Sequence, residues 1–263
     1  MLTAVSGVRT DVGLKRDLNE DSVIVGPPLW AVADGMGGHA AGDVASRIVV
    51  ETLGSLASSV RAVVRPADVQ DALERANERI LSHEKMHPGT RGMGSTVAGI
   101  AQVSVGDAAH WAIFNVGDSR VYRCFDRVMS RATTDHSEVE EMVLAGEITE
   151  DEARVHAGRN VVTRSMGTDP APQVDLWVLP QTAGERFLIC SDGLTTELPD
   201  TQIASVMLSD ASPDEIAGRL LDMTLAAGAR DNVSIIVVDV RGDESDIDEI
   251  TQPRIAVRSP YGT

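Results

Sequence analysis

Acidic residues recur at the edges of short apolar runs in this chain, and that recurrence limits the folds open to it. Leu29 to Ala33 is an apolar run that reads as a buried strand, and Asp34-Gly35-Met36-Gly37-Gly38-His39 follows directly. Beyond these glycines, Val44, Ala45, Ile48, Val49 and Leu53 recur at helical spacing, so a helix is expected from about Ala40 to Leu56. Asp34 is thereby placed where a strand ends, with glycines that let the backbone turn beside it. Glu20 and Asp21 precede the run Val23 to Val25, and Asp118 follows Trp111 to Phe114. Asp192 follows Phe187 to Cys190, and Asp231 introduces Val233 to Val240. Taken one at a time, each Asp is better explained as a turn former or cap. If sheets gather the strand edges, five or six carboxylates share one place. Each pair at ~5 Å and an effective dielectric near 20 would then repel by about 3 kcal/mol, so the cluster needs bound cations. Carboxylates with a nearby backbone carbonyl are ligands for a hard cation such as Mg²⁺ or Mn²⁺.

Composition narrows the function classes. A chain of 263 residues, 43% hydrophobic, can bury one large core, but with 3% aromatics that core must be filled by Val, Ile, Leu, Ala and Met. A formal net charge of -17 argues against nucleic acid and anionic membrane as partners, since both are polyanions. No apolar stretch is long enough to span a bilayer, and the N-terminus lacks a signal-peptide pattern, so a cytoplasmic location is expected. Cys124 and Cys190 lie in apolar strand-like runs and read as reduced, buried thiols.

Along the chain, Ala4 to Val12 and Val23 to Val25 read as strands flanking a turn at Arg16. A second helix starts near Pro66, with Val69, Leu73, Ala76 and Ile80 on one face, and stops before Pro88; Gly89 to Gly94 is a loop. Four strands are expected at Thr96 to Val103, Ala109 to Val116, Val121 to Phe125 and Val128 to Ala132. Turns at Gly106-Asp107 and Phe125-Asp126-Arg127 suit antiparallel hairpins. Helices are expected at Asp135 to Gly146 and Thr149 to His156, within a charged segment from about Glu138 to Gly167 that reads as a mobile flap. Val174 to Leu179, Arg186 to Cys190 and Val233 to Val240 return to strand. Ser212-Pro213-Asp214-Glu215 has the capping pattern for a helix to about Ala226. The pattern is α+β, with one domain over residues 1–241 and a disordered acidic tail over 242–263.

The ordered series Arg16…Asn19-Glu20-Asp21, Asp34-Gly35-Met36-Gly37-Gly38-His39, Gly94-Ser95-Thr96, Gly117-Asp118-Ser119-Arg120, Ser191-Asp192-Gly193-Leu194 and Asp231-Asn232 resembles the metal-dependent protein serine/threonine phosphatases, the PPM or type 2C family, in its bacterial branch. The motifs span the chain from about Val5 to Val240. The resemblance implies two antiparallel sheets packed as a sandwich, with helices on both outer faces in four layers, α-β-β-α, and metals at one end. It implies two Mn²⁺ or Mg²⁺ ions about 4 Å apart that activate a water and hold the phosphoryl oxygens of phosphoserine or phosphothreonine. Asp34 would bridge them, Gly35 would offer its carbonyl to one, and Asp192 and Asp231 would hold the other. Glu20 and Asp21 would bind metal waters or one ion directly. Asp118, with Asp192, resembles the holder of a third, weaker ion.

Arg16 matches the phosphate-binding arginine of the family, a role its planar fork of donors suits; without the motif it is a solvated charge. Asn232 is expected to orient its neighbour or cap the turn, and Ser119 and Arg120 to be structural. One position departs from the pattern: many relatives carry a histidine after Asp-Gly as general acid, and Met36 stands there. A thioether donates no proton, which leaves a metal-bound water, His39 or His136. The implied partners are phosphorylated proteins, the targets of bacterial kinases or a phosphorylated anti-sigma antagonist, and a monomer is expected. The acidic field repels such substrates, so a metal or local cation must overcome it.

Other readings compete. Neither cysteine starts the Cys-x5-Arg loop of thiolate phosphatases, because Ser130 and Thr196 occupy the arginine positions. His83-Glu84-Lys85-Met86-His87 reads H-E-x-x-H, the helical zinc motif of metallopeptidases, although Pro88 should end the helix at once. A catalytically silent binding module would ordinarily have lost the metal acids, and here they are present.

Overall fold

In the computed structural model, which describes residues 2–37, 41–59, 64–106 and 108–242, the apolar runs form two separate antiparallel sheets. Strands β1 (Thr3–Asp11), β2 (Asp21–Ile24) and β3 (Leu29–Met36) lead into helices α1 (Gly42–Ser59) and α2 (Pro66–Met86). Next come β4 (Gly94–Ser95), β5 (Val97–Val105), β6 (Ala108–Val116), β7 (Arg120–Phe125) and β8 (Val128–Arg131), then the short helices α3 (Glu138–Leu144) and α4 (Glu150–Val155). The remaining elements are β9 (Asp175–Pro180), β10 (Arg186–Cys190), α5 (Asp192–Glu197), α6 (Asp200–Met207), α7 (Pro213–Ala227) and β11 (Val233–Arg241). One sheet has the order β1-β11-β10-β7-β8. The other runs β2-β3-β5-β6-β9, with β4 paired to β3.

Alternation along the strands explains why they read as continuous apolar runs. In β3, Trp30 and Val32 share a cluster with Ile100, Trp111 and Ile113 of their own sheet and with Val121, Phe187, Ile189, Ile236 and Val238 of the other. Leu29, Ala31 and Ala33 instead meet Val49 and Leu53 of α1 and Leu73 and Ile80 of α2. In β10, Leu188 and Cys190 face away from Phe187 and Ile189, and cluster with Leu194, Ile203 and Leu220 of α5, α6 and α7. Side chains of period two with both faces buried leave no polar face to see. Three aromatics meet where both sheets contribute: Trp111 meets Trp30 at 6.0 Å and Phe187 at 5.4 Å, both edge-on.

The hairpins β5–β6 and β7–β8 form as expected, the latter on a turn with positive φ at Asp126 and Arg127. The equally short link from β6 to β7 is no hairpin. At Gly117-Asp118-Ser119 the chain passes from one sheet to the other. Gly117 has φ +108, and a Cβ there would lie 2.6 Å from the Thr96 side chain. Helix α7 starts on the expected capping box: Ser212 Oγ accepts from Glu215 N–H, and Glu215 Oε2 accepts from Ser212 N–H at 2.9 Å.

Other expectations need correction. The helix expected from Asp135 starts at Glu138, because Ser137 is its cap, and Asp135 and His136 lie buried ahead of it. Gly89 to Gly94 is not all loop, since Pro88–Thr90 makes a 3-10 turn and Gly94 enters β4. Helices α5 and α6 were not foreseen: at six and eight residues they are too short for a clear helical period. Asp107, His39 and the expected tail beyond 242 lie outside the described residues. Among the described residues, no helix is long and apolar enough to cross a membrane.

Candidate active site

The antiparallel register of β2 and β3 sets Asp21 directly opposite Asp34. Strand β3 does not end at Asp34, as the sequence suggested, but continues two residues to pair Gly35 with Ser95 and Met36 with Gly94. The Asp34 backbone is held there by Thr96, whose N–H donates to Asp34 O at 2.9 Å and whose Oγ1 accepts from Asp34 N–H at 3.2 Å. Gly35 is required by crowding, since a Cβ would sit 2.2 Å from the Gly42 carbonyl oxygen and 2.6 Å from that of Glu20. The Glu20 carbonyl accepts from Gly35 N–H at 3.2 Å and from Ser46 Oγ at 2.6 Å, so the Glu20 turn and the start of α1 close on β3.

The other acids come from the second sheet. Asp192 is the first residue of α5, just past β10; Asp231 lies two residues before β11; and Asp118 stands on the crossing between sheets. Asn232 does more than cap its turn. Its Oδ1 accepts from Glu20 N–H at 2.8 Å, and its Nδ2 donates to Val12 O at 3.0 Å and Leu18 O at 2.9 Å. That amide clamps the whole loop carrying Arg16. The exposed Arg16 donates from Nη2 to Asp231 Oδ2 at 2.8 Å, while Asp231 Oδ1 accepts from Asn232 N–H at 2.8 Å. Ser191, which the sequence reading passed over, donates from Oγ to Asp21 Oδ2 at 2.8 Å and accepts from Ser234 N–H at 2.9 Å. Its only sequence signal is its place before Asp192. Ser119 and Arg120 are structural as expected: Ser119 Oγ meets Thr96 Oγ1 at 2.7 Å, and Arg120 grips Asp135.

Electrostatics tie the acids into one group. Each of Asp21, Asp34, Asp118, Asp192 and Asp231 keeps some exposed surface, yet protein surrounds them closely enough to strip much of their hydration. Burial pushes Asp21 up to about 7, reinforced by Asp192 and Asp231 and restrained by hydrogen bonds from Ser234 and Ser191. Burial raises Asp34 well above the usual carboxylate range, and the charges of Asp21, Asp192, Asp118 and Asp231 add to it. Asp118 is raised to about 8, first by burial, then by Asp192 and Asp135. Asp192 is raised to about 6, first by burial and then by Asp231, against a hydrogen bond with Asp34 and the charges of Arg120 and Arg16.

Asp21 Oδ1 is buried without a hydrogen-bond partner, and the donors around it are all oxygen, so the residues fit a hard divalent cation. Among the described residues, no three His, Cys, Asp or Glu side chains are drawn together as a finished metal cage. The acids stand open to one another, with Arg16 drawn onto one of them.

The family profile described as protein phosphatase 2C matches residues 17–215. The chain belongs to the protein phosphatase 2C family. It is a protein serine/threonine phosphatase of the bacterial type, 33% identical over 242 residues to the serine/threonine phosphatase stp of Listeria monocytogenes, across 88% of this chain and 94% of that protein. The serine/threonine phosphatase PstP/Ppp of Mycobacterium tuberculosis superposes with a TM-score of 0.84 at 35% identity, covering 91% of this chain and 99% of that one. The catalytic domain of PstP in complex with two manganese ions gives 0.83 at 34% identity, covering 92% and 100%. Arg16 and Asp231 of this phosphatase lie outside the stretch the family profile matches.

Two sequence readings fail on geometry. His136 is 5% exposed, its Nδ1 accepts from Gly117 N–H at 3.0 Å, and its Nε2 lies 3.2 Å from Asp175 Oδ2. Both ring nitrogens are occupied, so His136 has no proton free for a leaving group. In the H-E-x-x-H stretch, α2 ends at Met86, and His87 lies beyond it with φ -128 and ψ 81. The His83 and His87 rings stack at 4.1 Å, and Glu84 Oε1 is drawn off to accept from Gly92 N–H at 2.6 Å. Two histidines on one helical turn with a free glutamate, as a zinc peptidase requires, are not formed.

Proposed function

We propose that this phosphatase hydrolyses phosphoserine and phosphothreonine in proteins, opposing serine/threonine kinases, with two Mn²⁺ or Mg²⁺ ions held among Glu20, Asp21, Asp34, Gly35, Asp192 and Asp231. A third, weaker ion would be held by Asp118 and Asp192. The observation that carries this reading is the mutual perturbation of Asp21, Asp34, Asp118 and Asp192 around a buried carboxylate oxygen with no partner. Bound there, the cations supply a nucleophilic water at neutral pH and neutralise phosphoryl charge. Asp34 and the Gly35 carbonyl would hold the pair between them, and Ser191 orients Asp21. Arg16 leaves Asp231 to grip the phosphoryl oxygens through its planar fork. Asn232 keeps the Arg16 loop in reach. Met36 offers no proton, and with both His136 nitrogens engaged the proton for the leaving alkoxide would come from water or His39.

The three apolar clusters support a four-layer α-β-β-α domain over residues 1–241, with the acids at one end. The manganese-bound relative supports the choice of metal. The test is hydrolysis of an aryl phosphate and of phosphothreonine peptides with Mn²⁺ or Mg²⁺. Activity should vanish with chelator and in Asp192→Ala, and persist in Glu84→Ala. Zinc-dependent peptide cleavage with the opposite pattern would overturn the reading.

A further inference from the structure

Asp118 stands on a turn held by Thr96 on one side, through Ser119, and by residues 133–136 on the other. Gly117 N–H donates to His136 Nδ1 at 3.0 Å, and His136 N–H returns a bond to Gly117 O at 2.9 Å. The buried Asn115 amide donates to Gly117 O at 3.1 Å and to Thr134 O at 3.0 Å. Arg120 Nε meets both Asp135 oxygens, at 2.9 and 3.0 Å, and Thr133 Oγ1 accepts from Val121 N–H at 3.1 Å.

The same segment is the root of the projection formed by α3 and α4. Ser137 caps α3 and bridges to Val162, and Thr163 N–H donates to His136 O at 2.8 Å. Both ends of residues 138–161 therefore meet at His136. The ring's tautomer follows from its partners. Nδ1 accepts from Gly117, so the hydrogen sits on Nε2, facing Asp175 Oδ2 at 3.2 Å. Arg164 Nη1 lies 3.1 Å from the other oxygen of Asp175 and 3.2 Å from His136 Nε2, so Asp175 of β9 and Arg164 together hold that side of the ring.

We propose that His136 is a positioning residue that couples the α3–α4 projection to the carboxylate of Asp118. The imidazole touches neither substrate nor a metal-ligand side chain. It acts through the Gly117 backbone, one residue from Asp118, in the way that a partner behind a ligand fixes the ligand's direction. A shift of the projection at its root moves the ring, the ring moves the turn, and a cation on Asp118 stiffens the projection in return, since such coupling is reciprocal. The inference rests on Asp118 as ligand of the weaker ion. Arg120 and Asp135 join the same two segments through a separate ion pair.

The test uses the full chain, Mn²⁺ calorimetry, and hydrogen exchange of the metal-free protein. His136→Phe keeps the ring's bulk and loses both nitrogens, whereas His136→Asn keeps an acceptor where Nδ1 stands. In His136→Phe the weaker Mn²⁺ site should lose about 10–100-fold in affinity, the usual effect of a partner behind a ligand, while the tighter sites hold. The Gly117 and Thr163 amides should exchange faster in that variant. His136→Asn should restore Gly117 protection and most of the affinity. Wild-type affinity and exchange in a folded His136→Phe would overturn the proposal, as would equal losses in both variants. If His136→Phe does not fold, the double change Arg164→Ala with Asp175→Ala decides, because it removes both side chains that meet Nε2 without removing the ring and should weaken the same site. Unchanged affinity and exchange there would overturn the proposal. In Asp118→Ala, an intact weaker site would overturn the ligand reading alone, and the exchange data would still decide the coupling.

Discussion

Strand β10 separates two buried acids with opposite fates. Glu185, just before it, is 1% exposed and fully engaged: Oε1 accepts from Arg123 Nε at 2.8 Å, and Oε2 accepts from Trp111 Nε1 and Thr182 N–H, each at 3.0 Å. Asp192, just after it, has Asp231, Asp34, Asp21 and Asp118 around it. Both acids are positioned by the ends of the same strand. At one end each oxygen has a donor within the fold, so the acid is a structural rivet. At the other the fold supplies more acceptors than donors, and the deficit asks for a cation. An acidic patch in itself says little about function, whereas uncompensated acids on several strand ends say a great deal.

The contrast is broken most severely at the acid end. Asp34→Ala removes the bridging ligand and should lower turnover by about 10³-fold or more, a loss of several kcal/mol of transition-state charge stabilisation. The same change relieves repulsion, so the metal-free variant should melt no lower than wild type. A large drop in its melting temperature would make Asp34 a rivet like Glu185.

At the other end, Glu185→Ala should leave metal-dependent kinetics near normal in the folded protein and cost about 2–4 kcal/mol of stability. That is near the low side of the range for breaking a buried pair, because Arg123 can still reach water. Denaturant unfolding reads the cost directly. Stability within about 0.5 kcal/mol of wild type would remove the contrast.

Arg16 sharpens it. Arg16→Ala should reduce kcat/KM by some tens- to hundreds-fold, about 2–3 kcal/mol for a charge-assisted contact, while Mn²⁺ affinity is kept or rises as Asp231 is freed. Unaltered kinetics in that variant would end the assignment of Arg16 to substrate phosphate.

The smallest effect is on pH. The carboxyls of Asp192, Asp21 and Asp118 are raised in the folded state to about 6, 7 and 8 from 3.8. The folded metal-free protein then binds more protons than the unfolded chain across that window. These groups favour the fold below about pH 4, and their contribution is lost as pH rises through about 8. The metal-free melting temperature should fall by several degrees between pH 5.5 and 8, at ~2–4 °C per kcal/mol for a domain this large. Saturating Mn²⁺ should flatten or reverse the trend, because it binds the deprotonated acids. A metal-free protein that gains stability over that range would mean the acids do not face one another.

Much of this was legible in the residues. Apolar runs bounded by turn residues gave ten of the strands within a few positions, and Ser212 to Glu215 announced α7, because turn chemistry and capping act over a few residues. The ordered acids named the family. Helices α5 and α6 were missed because two turns or fewer of helix carry little periodic signal.

What only the tertiary structure decided is who faces whom. Period-two alternation says that a strand has two buried faces, not which sheet it joins. Nothing local in the three-residue link at Asp118 marks it as a crossing, and packing of Val121 against the Trp30 and Trp111 face goes with β7 in the other sheet. Pairing of β1 with β11 and of Arg16 with Asp231, 215 residues away, is likewise invisible to local pattern. The same holds for Glu84, whose motif promised a zinc site until Gly92 took its oxygen. Short-range sequence sets conformation and the type of chemistry on offer. Pairing depends on the apolar area that closing two distant faces buries, and that quantity exists only once both faces are in place.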